Sequence, residues 1–427
     1  MKKTLNFFKS KLGNSPFLKN TLIVTFGTGI AQIFPMLSYP FLARIFSPSE
    51  FGLLAIITSL VPIMAVISSG AYEGGILLSK SKRDSINLSA YILIRSFFIL
   101  CIFSLFIILF SKNIADILNE PLLEKWIFSV PIISLGVVIF NISNEWNVKY
   151  KYFTSLSLNK ALYTVTNVVF KLFIGFFSII KFGGLILGDL FGKIFMILYC
   201  FFKLKSLDGS FFNAVNLKDV RQSPKLVYDF PRFVMPDQII SNLGGSIHIF
   251  FISSYFGSAQ VGLVSIVSSL LYVPITIFSS AIKDVFRQRA VEDFESSKNC
   301  RPLYLKLLIP ITLIAITGFG FLYFVLPSFF RILFGPEWED AGRYGQILIP
   351  LFCFSFISMS LKDIFVVVKK MHIALIWQVF YIVILLFSLV AGTMYFSDLD
   401  ITLYLMTFSG CIAHSLYMIL SFYYAKN

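Results

Sequence analysis

Apolar stretches long enough to cross a bilayer recur along the chain, separated by short polar segments. A spanning helix needs roughly 20 largely apolar residues. The first half has such runs at 18–43, 51–78, 86–110, 123–146, 153–180 and 183–202, and the second half at 231–255, 259–283, 303–326, 344–368, 371–396 and 399–424. The pattern predicts an all-α polytopic membrane protein of about twelve transmembrane helices. Gly27, Gly29, Pro35, Pro62, Pro131, Pro274 and Pro350 fall inside the runs. Transmembrane helices tolerate these residues and often bend at them around a cavity.

The polar segments set the orientation. Lysines and arginines crowd into alternate loops: Lys2, Lys3, Lys9, Lys11 and Lys19 at the start, then Lys80, Lys82 and Arg83, then Lys149 and Lys151. The same side collects a linker from Lys203 to Arg232, a second from Lys283 to Lys306, the pair Lys369–Lys370, and Lys426. The opposite loops carry only Arg44, Lys112, Lys125, Lys181, Arg331 and Arg343. By the positive-inside rule both termini are expected in the cytoplasm. The net charge of +14 is then explained without nucleic acid. The tail can form an interfacial helix, with Leu5, Phe8 and Leu12 opposite its lysines, or remain a solvated tail. No cleavage pattern follows it, so the first helix is expected to be retained.

Composition agrees with the bilayer as solvent. Hydrophobic residues make up 57% and charged residues 14%, with 50 Phe and a mean hydropathy of +0.82, where a soluble domain is about 25% charged. The five cysteines form no CxxC pair and read as small packing residues, with neither disulfide nor metal site expected.

The two halves repeat. FLARIFSPSEFGLLAIITSL, from Phe41, aligns with FISSYFGSAQVGLVSIVSSL, from Phe251, at an offset of 210. Phe41, Phe46, Gly52, Leu53, Ile56, Ser59 and Leu60 match their counterparts. Six helices per half give both halves the same polarity, hence a parallel repeat. The expected organisation is a six-helix lobe over 1–202 (with a basic tail at 1–19), a linker over 203–230, and a second lobe over 231–427.

Charges inside a bilayer cost at least about 2.5–3.5 kcal/mol each, so each is a candidate functional residue. In the fifth run Lys160, Thr164, Asn167 and Lys171 stand at i, i+4, i+7 and i+11, one helical face, with the lysines about 16 Å apart. Such a stripe suits the wall of a water-filled cavity where ammonium groups could meet an anionic ligand; snorkelling of Lys160 and pairing of Lys171 is the structural alternative. Arg95 is a further candidate for substrate contact. Glu73 and Asp237 are candidates for gating or ion coupling, with Ser241 and His248 on the Asp237 face. Asp189 and Lys193, at i and i+4, are expected to neutralise each other. Gly192-Lys193 lacks the Ser or Thr of a phosphate-binding loop, and HExxH is absent, so catalysis and cofactors are not expected.

The hairpin RIFSPSEFGLLAI (Arg44 to Ile56), the segment YDFPRFVMPDQIISNLGGSIHIFFISSYFGSAQVGLVSI (Tyr228 to Ile266) and FGPEWEDAG (Phe334 to Gly342) resemble bacterial polysaccharide transporters. These are the Wzx-type flippases of the multidrug/oligosaccharidyl-lipid/polysaccharide exporter superfamily. The resemblance spans nearly the whole chain. It implies two six-helix lobes around a cationic cavity and transfer of undecaprenyl-pyrophosphate-linked glycan, such as an O-antigen unit for lipopolysaccharide, between leaflets. Implied partners are the lipid-linked oligosaccharide, membrane lipids, a glycan polymerase and a chain-length regulator. A drug/cation antiporter or a peptidoglycan-precursor flippase is the alternative within the superfamily. A membrane-embedded polymerase or glycosyltransferase would need a sizeable catalytic loop, and the outer loops are short.

Overall fold

The computed structural model describes residues 16–177, 182–207 and 215–426. The expected interfacial helix at Leu5, Phe8 and Leu12, and Lys181, lie outside the described residues. Among those described there is no β-strand, and twelve helices of 20 or more residues dominate. In the first half these are α1 (Pro16–Ile45), α2 (Pro48–Ser69), α3 (Lys82–Ile117), α4 (Ser129–Lys149), α5 (Phe153–Phe176) and α6 (Gly184–Leu207). In the second half they are α7 (Met235–Phe256), α8 (Ser258–Ser297), α9 (Arg301–Phe329), α10 (Glu339–Ser360), α11 (Met371–Val390) and α12 (Leu399–Tyr424). Each coincides with one apolar run. Eight stretches built on α2, α3 and α7–α12 are long and apolar enough to cross a membrane by length and composition.

Several boundaries differ from the hydropathy pattern, and two of them show why. The second run continues to residue 78, but α2 ends at Ser69, where Gly70 and Ala71 take φ of 70° and 56°. That left-handed pair turns the chain into short helices at Tyr72–Gly74 and Gly75–Leu78. The eighth run fades near 283, whereas α8 continues to Ser297. Its last turns carry Arg287, Arg289, Glu292 and Glu295, good helix formers that hydropathy cannot see.

The chain packs as two compact units that interleave along the sequence. The first comprises Met1–Ser38, Ile57–Asp116 and Pro121–Leu243, and the second Tyr39–Ile56, Ile117–Glu120 and Gly244–Asn427. In the first unit Tyr72, Ile76, Leu88, Ile92, Val138 and Trp146 build one buried cluster. Trp146 Nε1 donates to Ser89 Oγ at 2.8 Å. Lys149 Nζ donates to the carbonyls of Ile76 and Ser79 and to Ser85 Oγ, each at 2.7 Å, closing the short Gly75–Leu78 helix. The Leu217–Gln222 helix of the expected linker is held by an Arg83–Asp219 pair at 2.7 Å.

In the second unit the repeat becomes a physical contact. A Cβ at Gly52 would lie 1.8 Å from the Ser258 carbonyl oxygen, and one at Gly262 would lie 1.9 Å from that of Pro48. Both relations connect a residue to the counterpart, 210 positions away, of its own fourth neighbour. Around this crossing Arg44 donates to the carbonyls of Ile332 (2.7 Å) and Leu333 (3.1 Å). Trp338, 1% exposed, donates from Nε1 to the Ala43 carbonyl at 3.1 Å and meets Phe51 edge-on at 5.1 Å. At the far end of α12, Arg301 caps the carbonyls of Phe422 and Tyr423 at 3.1 and 2.9 Å.

Candidate functional site

Two buried charges of the first unit, Asp189 and Lys193, sit where α5 and α6 meet. α6 presents Gly188 and Gly192 to α5: a Cβ on Gly188 would lie 2.7 Å from the Lys171 backbone, and one on Gly192 would lie 2.8 Å from that of Asn167. Small residues four apart let membrane helices approach at backbone distance. The approach carries Asp189, 6% exposed, onto the α5 stripe. Asn167 Nδ2 donates to Asp189 Oδ1, and Lys171 Nζ stands 3.6 Å from the same oxygen. Asp189 Oδ2 is buried with no hydrogen-bond partner.

The expected Asp189–Lys193 pair is thus corrected. Asp189 faces α5, and Lys193 Nζ lies over the Tyr163 ring at 3.9 Å from its centroid. Helical spacing permits the i, i+4 pair, but the glycine-guided crossing offers Asp189 a cation on another helix. GLILGDLFGK, read as a glycine-every-four pattern around Asp189, is the signal that sequence reasoning passed over.

The remaining candidates have separate settings. Lys160 Nζ donates to Thr28 Oγ1 of α1 at 3.3 Å. Thr164 turns back to the Lys160 carbonyl at 3.0 Å. Arg95 donates to the carbonyl of Ile67 at 3.0 Å and to that of Ser68. It thereby caps the end of α2, a charge-assisted satisfaction of carbonyls that the left-handed turn leaves open. Glu73 is buried, within electrostatic reach of Arg95 and Glu145. Asp237 is exposed on the first turn of α7. Just beyond it, Gln238, Ser241 and Asn242 line a cleft of about 260 Å³ with Asn141 of α4 and the Pro62 region of α2. Asn141 and Gln238 were not singled out from sequence; Asn141 is legible as an amide inside an apolar run.

The arrangement is polar and cationic within a membrane chain, and it offers hydrogen-bond donors without a paired nucleophile and base. Among the described residues no three His, Cys, Asp or Glu side chains gather as a metal site. Residues 41–343, well over half of the chain, match the family described as polysaccharide biosynthesis protein. The chain belongs to that family. No curated protein matches it. Solved structures show how this family member folds. An inward-facing multidrug-resistance MATE transporter of the MOP superfamily aligns with a TM-score of 0.71 at 16% identity, covering 92% of this chain and 93% of that one. The lipid II flippase MurJ in an inward closed conformation aligns at 0.70 and 13%, covering 92% and 86%. A MOP-superfamily transporter from Pyrococcus furiosus, described as having a binding pocket of reverse polarity, aligns at 0.64 and 16%, covering 94% of each chain. The fold of this polysaccharide biosynthesis protein is therefore that of the MOP-superfamily transporters.

Proposed function

We propose that the protein is a flippase that carries a polyprenyl-pyrophosphate-linked oligosaccharide, an O-antigen or similar surface-polysaccharide unit, from the cytoplasmic to the outer leaflet of a bacterial inner membrane. The observation that carries this reading is the concentration of buried cations in the first unit of a polysaccharide-biosynthesis family member. Lys171 pairs with Asp189 while Lys193 is turned onto the Tyr163 ring, so two lysines stand against one carboxylate where α5 and α6 meet. Lys160 adds a further lysine along α5. An anionic headgroup is the ligand that such a cluster attracts, and the neighbouring amides suit sugar hydroxyls. On this reading both termini lie in the cytoplasm, the side that the distribution of lysines and arginines favours. A glycan polymerase and a chain-length regulator are the partners that would use the product.

A cell interior negative by 100 mV favours outward movement of each negative charge by about 2.3 kcal/mol, so transport of an anionic carrier proceeds without ATP at this protein. Proteoliposomes holding a fluorescent polyprenyl-pyrophosphate oligosaccharide test this. Accumulation in the opposite leaflet, without nucleotide and faster with an inside-negative potential, is expected. Flipping that appears only with ATP, or none while a drug cation is transported instead, overturns the reading.

A further inference from the structure

The second unit carries a groove that the transport reading does not use. It encloses about 430 Å³ between α9, α10 and α12. Arg343, Gln346 and Pro350 line it from α10, at i, i+3 and i+7, and Tyr404, Phe408 and Cys411 line it from α12, at i, i+4 and i+7. Both spacings are one helical face. Seven residues at 1.5 Å each make a trough about 10 Å long. It is charged at the end where α10 and α12 begin and apolar at the other.

The groove opens on a surface built for lipid. Its wall residues Tyr404 and Phe408 are 60% and 67% exposed, and Phe321 and Phe324 on α9 are 67% and 79% exposed. Aromatic surface of that extent is stable only against acyl chains in a membrane protein. The mouth has a defined charge. Arg343 is held by Asp400 and, at 3.4 Å, by Asp340. Three groups therefore leave one negative charge beside a half-exposed guanidinium. Arg331 and Glu339, 3.9 Å apart next to it, cancel. A purely anionic headgroup would meet an arginine already satisfied by two carboxylates. A zwitterion fits both signs, its phosphate toward Arg343 and its ammonium toward the carboxylates.

We propose that the α9/α10/α12 groove is a binding site for an amine-bearing phospholipid, with one acyl chain lying from Arg343 toward Cys411 and the ammonium at Asp340 and Asp400. The site is distinct from the α5–α6 cluster and holds a resident lipid rather than cargo.

The test uses the full-length protein, purified and offered phosphatidylethanolamine and phosphatidylglycerol of identical chains at equal concentration, with retained lipid counted by native mass spectrometry. Wild type is expected to retain the amine lipid about threefold over the glycerol lipid, the range that one half-exposed ion pair provides. Asp340→Asn brings the ratio to about one while total retention persists, because the mouth becomes neutral. Cys411→Trp fills the apolar end and abolishes retention of both lipids. A phosphatidylethanolamine with a photoactivatable acyl chain locates the site in wild type whether or not that variant folds, with adducts expected on Tyr404, Phe408 or Cys411. Equal or greater retention of phosphatidylglycerol by wild type overturns the headgroup assignment. Adducts confined to other helices overturn the site.

Discussion

A single methyl group at Gly52 is a severe probe of this fold. Its Cβ would stand 1.8 Å from the Ser258 carbonyl oxygen, 2.6 Å from the carbonyl carbon and 3.0 Å from Cα. All three are backbone atoms of α8, so no side chain can swing away. To restore an ordinary contact of about 3.5 Å, the two helices must separate by well over 1 Å at their crossing. Overpacking of this kind costs about 1–3 kcal/mol. The alanine recovers at most about 1 kcal/mol of helix propensity. The steric term wins, and Gly52→Ala is expected to destabilise by about 1–2 kcal/mol. Gly262→Ala should cost the same, since its Cβ meets the Pro48 carbonyl oxygen at 1.9 Å.

The pair makes a sharper prediction. Both methyls enter one crossing, and once the first has pushed the helices apart the second finds room. The double variant should therefore cost less than the sum of the singles, a coupling expected of residues in contact. Gly318→Ala on α9, with nothing within 4 Å of its Cβ, is the control and should be neutral or slightly stabilising. Apparent melting in detergent, read as a ranking because such unfolding is commonly irreversible, is the assay. Gly52→Ala melting at or above wild type, or strict additivity in the double variant, would refute the reasoning.

Trp338→Phe keeps the edge contact with Phe51 but removes the donor to the Ala43 carbonyl, and should lower stability by about 1–2 kcal/mol in the same melting assay. Cys300 is fully buried, its Sγ 3.2 Å from the Ala290 carbonyl, and burial, then Asp293, raises its thiol to about 11. At pH 8 roughly one thiol in a thousand is ionised, so a polar maleimide should leave Cys300 unmodified in folded protein. Mass mapping checks this, and labelling should begin only on denaturation.

The chain's helix count, its family motifs and the partner helices of the repeat were all legible in sequence, because lipid forces each spanning segment to declare itself as an apolar run. Gly52 and Gly262 even stood in register before they could be known to touch. What hydropathy could not show was where charges go. Helical spacing gave Asp189 only Lys193, and the glycine-guided approach of α6 to α5 gave it Lys171 instead. Arg95, which looks like a cavity residue in sequence, caps α2 because a left-handed turn at Gly70 and Ala71 leaves carbonyls for it. The extension of α8 past 283 escaped for the opposite reason, being helical without being apolar.

The two halves share a helix pattern but not its charge, and this bears on what the charge is for. α5 and α6 carry Lys160, Lys171, Asp189 and Lys193, whereas α11 has no Asp, Glu, Lys or Arg and α12 has only Asp400, at its start. The corresponding helices of the second half fold without a buried ion pair. Burial of such a pair is generally no gain over apolar residues of similar size, which agrees with the transport role proposed for Lys171. The prediction separates that role from a purely structural one. Lys171→Gln alone strands a nine-tenths buried carboxylate and should cost about 3–5 kcal/mol, visible as reduced protein abundance. Lys171→Met with Asp189→Leu removes both charges and should restore abundance to wild type or above, since such replacements are neutral or stabilising by about 1–4 kcal/mol. If the cation serves an anionic headgroup, the double variant, though abundant, should fail to move lipid-linked glycan in proteoliposomes. Full transport by an abundant double variant would show that the pair serves the fold alone and would remove Lys171 from the substrate path.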